Sequence, residues 1–387
     1  MVRVSRIHFF LVTFFLHYSF LISRPLNILF IVGHFPAPSQ TFILNQITGL
    51  IDRGHNVSIF SFCRDSLSYI HPDILKYKLL DRVVYKKFPK NLPNCDVVFC
   101  QFGYHGRRIF RLAYLKPWLS DKKVVTCFRG SDITVRLKKK SNTYDHLFKK
   151  GDLFLPVCNH FKKRLIRFGC LPEKVVVHYS AIDCSKFFFK QRSLPKKGPI
   201  KLISVCRLVE KKGIKYAISA VAQVVQQHPN IVYHIVGDGP EYAQLESLIK
   251  KLNMHNNIIL HGWKSQDVVV KMLDSAHVFL LPSVTALDGN EEGIPNAIKE
   301  AMAMGLPVIA TAHAGNPELV ESGVSGYLVS EKNVQEISDK IVYLIEHPDI
   351  WLPMEIAARK VIEERFETKK TVEKLEGLFY QLLSESV

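Results

Sequence analysis

Short, continuously apolar runs alternate with helix-forming segments along this chain, and the alternation breaks only once. The run Leu26–Val32 ends at Gly33, a polar, proline-containing loop follows from His34 to Gln40, Thr41–Arg53 reads as a helix closed by Gly54, and Val57–Phe62 reads as the next strand. The same unit recurs at Asp96–Cys100, Val124–Phe128 and Leu153–Val157. Strands that are apolar on both faces and separated by helices belong in a parallel sheet covered on each side. The pattern dissolves at Lys190–Pro199, which has the composition of a linker, and a second series begins, with strands near 202–206, 231–236, 257–261, 278–281 and 307–311. The expectation is an α/β chain of two doubly wound domains, 25–190 and 200–367, joined by 191–199. A closing amphipathic helix within 368–387 (Val372, Leu375, Leu378, Phe379, Leu382) needs a partner surface.

A length of 387 residues suits two cores, and 47% apolar against 22% charged residues excludes a disordered chain. Charge is divided unevenly. Residues 1–200 hold 34 Lys and Arg against 11 Asp and Glu, whereas residues 201–387 hold 18 against 24. A basic first half calls for an anionic partner. Nucleic acid is disfavoured because no helix-turn-helix, RNP or zinc-finger pattern accompanies the charge. The runs Lys138–Lys140, Lys149–Lys150 and Phe161–Phe168 fit an anionic membrane surface instead, with a solvated basic face as the plainer alternative. Eight cysteines without C-x-x-C spacing read as reduced thiols, mostly in the core, and favour the cytosol.

The first 24 residues form an apolar segment behind Arg3 and Arg6, interrupted by His17, Tyr18 and Ser19. It is short and polar for a spanning helix and has no small-x-small cleavage pattern. An interfacial anchor, a weak signal-anchor and an extension from a misplaced start all remain open. A cytoplasmic protein peripheral on the cytoplasmic face of the membrane is the expectation.

The chemistry concentrates in Asp288–Pro307. Pro295 is placed for the first turn of a short helix, Gly305 just past its end, and Pro307 stops it. The helix N-terminus, in the stretch Gly293, Ile294, Pro295 and Asn296, offers unpaired N–H groups from all but Pro295, and Gly293 permits close approach, so an anion is expected there. Glu292 precedes the helix. Glu300 lies roughly 8 Å along the axis from Pro295 and leans back towards the N-terminus. Two acceptor-only carboxylates beside an anion cradle suit sugar hydroxyls, although a capping Glu292 and a surface Glu300 would look the same. Arg207 and Lys212 follow the first strand of the second series, where open α/β sheets bind ligands, and supply the compensating cations.

Taken together, Glu292 and Glu300 at E-x7-E spacing, Arg207 with Lys212, Val236–Glu241, Leu281–Ser283 and Gly323–Val329 resemble the retaining GT-B glycosyltransferases of family 4, especially the exopolysaccharide and lipopolysaccharide branch. The resemblance spans Leu26 to the C-terminus. It implies two Rossmann-like domains facing across a cleft, with the first half taking the acceptor and the second the nucleotide-sugar donor. It also implies that Arg207 and Lys212 bind the donor diphosphate with backbone donors of residues 293–296, that Glu300 binds the ribose and Glu292 the donor sugar, and that the segment of Trp263 lies near the base. The loops containing Gly33 and His105 look like acceptor-side loops. At Thr126–Asp132 many relatives carry a histidine near the reacting sugar, and Arg129 takes that position here, where a cation could stabilise the leaving phosphate. His105 is a further candidate, against the reading of a lone polar loop histidine.

The implied reaction is hexose transfer to a glycan acceptor, lipid-linked by the charge argument, without a resident cofactor and without a metal, since cations and a helix N-terminus can neutralise the diphosphate. An NAD oxidoreductase lacks its G-x-G-x-x-G at Gly33. A sugar-nucleotide epimerase and a membrane-associated scaffold that binds nucleotide without transfer remain as alternatives. The oligomeric state is not legible.

Overall fold

The computed structural model describes residues 24–37, 40–65, 70–85, 94–112 and 116–385. The apolar segment before Arg24, and with it the anchor, signal and start-site readings, lies outside the described residues.

Two parallel sheets of six strands each form the frame. The first contains β1 (Asn27–Phe35), β2 (Asn56–Arg64), β3 (Val83–Tyr85), β4 (Val97–Cys100), β5 (Lys123–Phe128) and β6 (Leu153–Pro156) in the order β3-β2-β1-β4-β5-β6. The second contains β7 (Ile200–Val205), β8 (Ile231–Val236), β9 (Ile258–Leu260), β10 (Val278–Leu281), β11 (Val308–Thr311) and β12 (Tyr327–Val329) in the order β12-β11-β10-β7-β8-β9. Both follow the Rossmann order 3-2-1-4-5-6, so each has a switch point, between β1 and β4 and between β7 and β10, where loops leave in opposite directions and open a crevice. β4, β6, β10 and β11 are buried along their whole length, as strands with helices on both faces must be. The edge strands β3 and β12 have three residues each and are not among the strands expected from the sequence.

The closing helix, Thr368–Ser384, returns to the first domain. Val372, Leu375 and Phe379 enter the core built on β1 and the helix Thr41–Asp52. Phe379 meets Phe99 edge-on at 5.3 Å, and Val372 occupies the space that a side chain at Gly49 would need. Glu376 accepts hydrogen bonds from Arg53 Nε at 2.9 Å and bonds His55 Nε2 at 2.8 Å. The partner surface of this helix is therefore the first domain, across the chain from where the helix begins.

Cross-domain contacts are both apolar and polar, and Ile294 packs on the first-domain core that contains Phe128 and Phe161. His71 donates to Gln266 at 3.1 Å. The helix Asn159–Arg167 is held at its N-terminus by Glu318, which accepts from Asn159 N–H at 2.7 Å and from its side-chain amide at 2.8 Å. In this helix Phe161 and Leu165 are buried in the domain core and Arg164 turns towards Glu291, so the apolar face of the run 161–168 faces the protein and not a bilayer. Lys138–Lys140, Lys149, Lys150, Lys163 and Arg167 remain exposed. No helix among the described residues is long and apolar enough to cross a membrane. All eight cysteines are free thiols, and only Cys63 is fully exposed.

Candidate functional site

The loop after β7 delivers the cations. Arg207 is exposed, and its side chain makes no hydrogen bond or ion pair among the described residues. Lys211 and Lys212 end a short 3-10 turn, and Gly213 follows with φ +65°. A Cβ there would meet the Pro282 carbonyl at 1.9 Å, so only glycine lets this loop lie against the end of β10. Both lysines reach Glu292, Lys211 Nζ at 2.9 Å and Lys212 Nζ at 3.0 Å. Glu292 is 7% exposed. Burial opposes its ionisation, but Lys212 and then Lys211 overcome that and hold its pKa at about 2. Lys211 was not singled out in the sequence, although its adjacency to Lys212 is the signal that would have found it.

The helix beyond Glu292 is Asn296–Ala303. Pro295 sits one residue earlier than expected, as the N-cap with φ −63° and ψ 129°: the ring fixes φ, and the extended ψ keeps Pro295 out of the first turn. It offers no side-chain cap, so the amides at the helix start are not satisfied by one. Gly305 closes the helix at φ +76°. Gly293 packs against the first domain. A Cβ there would meet Val157 at 2.6 Å and the Arg129 carbonyl at 3.2 Å, so the space beside it admits the first domain.

Glu300 is half-buried and makes no hydrogen bond or ion pair among the described residues. It lines a crevice between the domains with Thr41, Asn45 and His71 on one side and Asp183 and Gln266 on the other. Burial raises its pKa to about 7 against the opposing charge of Lys299. The two glutamates therefore differ in their neighbours, Glu292 neutralised by two lysines and Glu300 unpaired at the interdomain crevice.

Arg129, at the end of β5, is committed to the interior. It donates to the Gln101 carbonyl at 3.2 Å, Gln101 Oε1 at 2.6 Å, Gln46 Oε1 at 3.1 Å and Ser180 Oγ at 2.8 Å, and lies over the Phe42 ring at 4.5 Å. These bonds use four of the five guanidinium N–H groups. Ser180 also takes Lys299 Nζ on its carbonyl, so one crossover residue is gripped from both domains. His105 is a buried histidine and not a polar surface one. Its ring stacks on Phe62 at 5.2 Å, and burial, with Arg108 and His34, depresses its pKa to about 3. Its Nε2 lies 3.1 Å from where a Gly33 Cβ would stand, which accounts for the glycine. Trp263 follows β9 and is 56% exposed.

Three features escaped the sequence reading. Glu291 bonds His160 at 2.8 Å and Arg164 at 2.7 Å across the domains. Burial opposes its charge, yet those two partners pull its pKa to about 2. Glu318 caps the helix Asn159–Arg167, and His313 contacts the Glu292 backbone. All depend on tertiary neighbours with no local pattern. Among the described residues no group of three or more His, Cys, Asp or Glu side chains could hold a metal ion.

Two Rossmann-like domains with a basic, glutamate-containing cleft define a GT-B architecture, and solved structures agree. HepE from Anabaena in complex with UDP aligns with a TM-score of 0.76 at 18% identity, over 92% of this chain and 100% of that one. A sucrose-phosphate synthase from Thermosynechococcus elongatus aligns at 0.73 and 16% identity, over 93% of this chain and 100% of that one. Residues 39–186 match the model of Glycosyltransferase Family 4, and residues 185–362 match Glycosyl transferases group 1. A putative colanic acid biosynthesis glycosyltransferase of Salmonella typhimurium is 34% identical, over 88% of this chain and 96% of that protein. An amylovoran biosynthesis glycosyltransferase of Erwinia amylovora shows the same identity and coverage. The chain belongs to the group 1, family 4 glycosyltransferases.

Proposed function

We propose that this protein is a retaining hexosyltransferase that moves a sugar from a nucleoside-diphosphate donor to a lipid-linked glycan in surface polysaccharide or lipopolysaccharide assembly, working at the cytoplasmic face of a membrane. The observation that carries the reading is the convergence, at the β7/β10 switch point, of unpaired Arg207, the Lys211–Lys212–Glu292 cluster and an uncapped helix N-terminus. The relatives named for colanic acid and amylovoran biosynthesis support the polysaccharide setting, and HepE, crystallised with UDP and with UDP-glucose, supports a nucleotide sugar.

In this reading Arg207, Lys212 and the amides of Gly293, Ile294 and Asn296 neutralise the diphosphate, so the chemistry needs no metal. Glu292 accepts hydrogen bonds from the donor sugar, Glu300 accepts them from the ribose, and Trp263 stacks on the base. Gly33 keeps the facing loop close to the donor, His105 borders the acceptor as a neutral imidazole, and Arg129 fixes the loop that faces Gly293. The acceptor hydroxyl attacks the anomeric carbon on the face the phosphate leaves, and the departing phosphate oxygen takes the hydroxyl proton. The exposed lysines 138–140 and 149–150 face the anionic leaflet.

The test is incubation of the full chain with UDP-glucose, GDP-mannose or ADP-glucose and a lipid-linked oligosaccharide extract, in EDTA, with NMR of the product's anomeric proton. Transfer with retained α configuration is expected. Inverted product, or transfer that requires added divalent metal, contradicts the reading.

A further inference from the structure

The segment that carries Glu292 is also held by residues outside the proposed donor contacts. β11 ends at Thr311, and the chain turns sharply through Ala312–Asn316. Asn316 closes this turn by donating to the Thr311 carbonyl at 3.0 Å, and Ala314 adopts φ +46°, a conformation that costs a residue with a side chain. The turn lies against the glutamate segment: Gly315 N–H donates to the Gly293 carbonyl at 3.1 Å, and a Cβ on Gly315 would stand 2.5 Å from that oxygen. Between the two segments the His313 side chain is buried, 2% exposed.

The tautomer of His313 follows from its partners. Glu292 N–H can only donate, and it lies 3.1 Å from His313 Nε2, so that nitrogen is the acceptor and bears no proton. The proton is then on Nδ1, which donates to Glu331 Oε1 at 2.6 Å. Glu331 also accepts the Thr285 N–H at 2.8 Å. One carboxylate and one imidazole thus tie the ends of β10, β11 and β12 to the backbone of Glu292.

Resting on the assignment of Glu292 to the donor sugar, we infer that His313, oriented by Glu331, is a positioning residue that sets the backbone of Glu292 and hence the aim of its carboxylate. A carboxylate that must meet sugar hydroxyls gains its effect from placement, and a displacement of about 1 Å can cost on the order of 100-fold in rate. Without the imidazole, the Glu292 amide is a buried donor with no acceptor and the segment must shift to find one.

The experiment compares His313→Leu, His313→Gln and Glu331→Gln with the parent full chain. Glutamine reaches the Nε2 position with a carbonyl oxygen and keeps the acceptor, whereas leucine removes it. Readouts are hydrogen exchange of the Glu292 amide, UDP, GDP and ADP affinity, and nucleoside-diphosphate release from the sugar nucleotide that the parent turns over best. For His313→Leu the amide exchanges at least tenfold faster and turnover falls 10- to 100-fold, while nucleoside-diphosphate affinity stays within threefold. His313→Gln recovers most of both losses, and Glu331→Gln lies between. Unchanged amide exchange in the leucine variant, or faster exchange with turnover intact, overturns the inference. So does a glutamine variant as impaired as leucine. If leucine abolishes folding, the glutamine and Glu331→Gln variants decide by the same measures. Glu292→Gln run alongside separates the two layers: full turnover in that variant removes the donor-sugar role of Glu292, whatever His313 does.

Discussion

Lys212 Nζ stands 3.0 Å from Glu292 Oε2 while Arg207, five residues earlier on the same loop, keeps its guanidinium unpaired and exposed. The loop therefore divides its cations. One lysine pair neutralises the glutamate, and the arginine has no partner among the described residues. Lys212→Met should raise the Glu292 pKa from about 2 and weaken nucleoside-diphosphate binding roughly tenfold, about 1.4 kcal/mol. Calorimetric titration of UDP, GDP and ADP checks this, and unchanged affinity would leave Lys212 with no part beyond its contact with Glu292.

Under the proposed assignment of Glu300 to the ribose, donor binding depends on pH. A glutamate in the unfolded chain ionises near 4.5, whereas burial keeps the Glu300 proton to about 7. The folded state thus binds more protons between these values, so Glu300 lowers stability as pH rises from about 4.5 through 7. Hydrogen bonding to a ribose runs the other way, because the ionised carboxylate is the better acceptor. Affinity for the nucleoside diphosphate should climb from pH 6 to pH 8 in the parent and be flat in Glu300→Gln, while the variant melts higher than the parent at pH 8. Parallel pH profiles of the two proteins would show that Glu300 does not face the ligand.

The closing helix holds the first domain together. Phe379 is buried against Phe99, so Phe379→Ala should destabilise by about 3–5 kcal/mol, read from urea unfolding. The first domain should unfold ahead of the second in this variant, as reported by the near-ultraviolet signal of Trp118, with Trp351 remaining native. A loss confined to the second domain would contradict the packing.

Much of this was legible in the sequence. Strands with both faces buried advertise themselves as apolar runs, so β1, β4, β5, β7, β8, β10 and β11 stand close to their expected places. The E-x7-E segment, with its bounding Pro295 and Gly305, marked the helix Asn296–Ala303 to within one residue. What escaped depends on long-range contact. β3 and β12 are short edge strands that only their sheet neighbours define. The character of His105 is set by Phe62 and Gly33, far from it in the chain. Arg129 is legible in the sequence at the position where many relatives carry a histidine, but only the fold reveals that Gln46, Gln101 and Ser180 absorb its hydrogen bonds. The basic run 161–168 looked like a membrane-facing amphipathic helix because apolar periodicity does not say which surface will cover it.

The exposed cations on the first domain give a separable prediction. Replacing Lys138, Lys139 and Lys140 by glutamine should lower binding to vesicles containing anionic phospholipid at least fivefold and leave UDP, GDP and ADP affinity unchanged. Each lysine near an anionic surface contributes on the order of 1 kcal/mol, and the effect should fade above about 0.5 M salt. Equal loss of both activities would place these lysines in the cleft, where Lys138 already borders Gly289.

The most direct test of the donor site is calorimetric titration of the protein with UDP, GDP and ADP in EDTA, for the parent and for Arg207→Ala and Glu300→Ala. One nucleoside diphosphate should bind without metal, and Glu300→Ala should weaken it by about 1.5–3 kcal/mol, with a comparable loss for Arg207→Ala. Binding of none of the three, or equal affinity in parent and both variants, would contradict a donor site at the β7/β10 switch point.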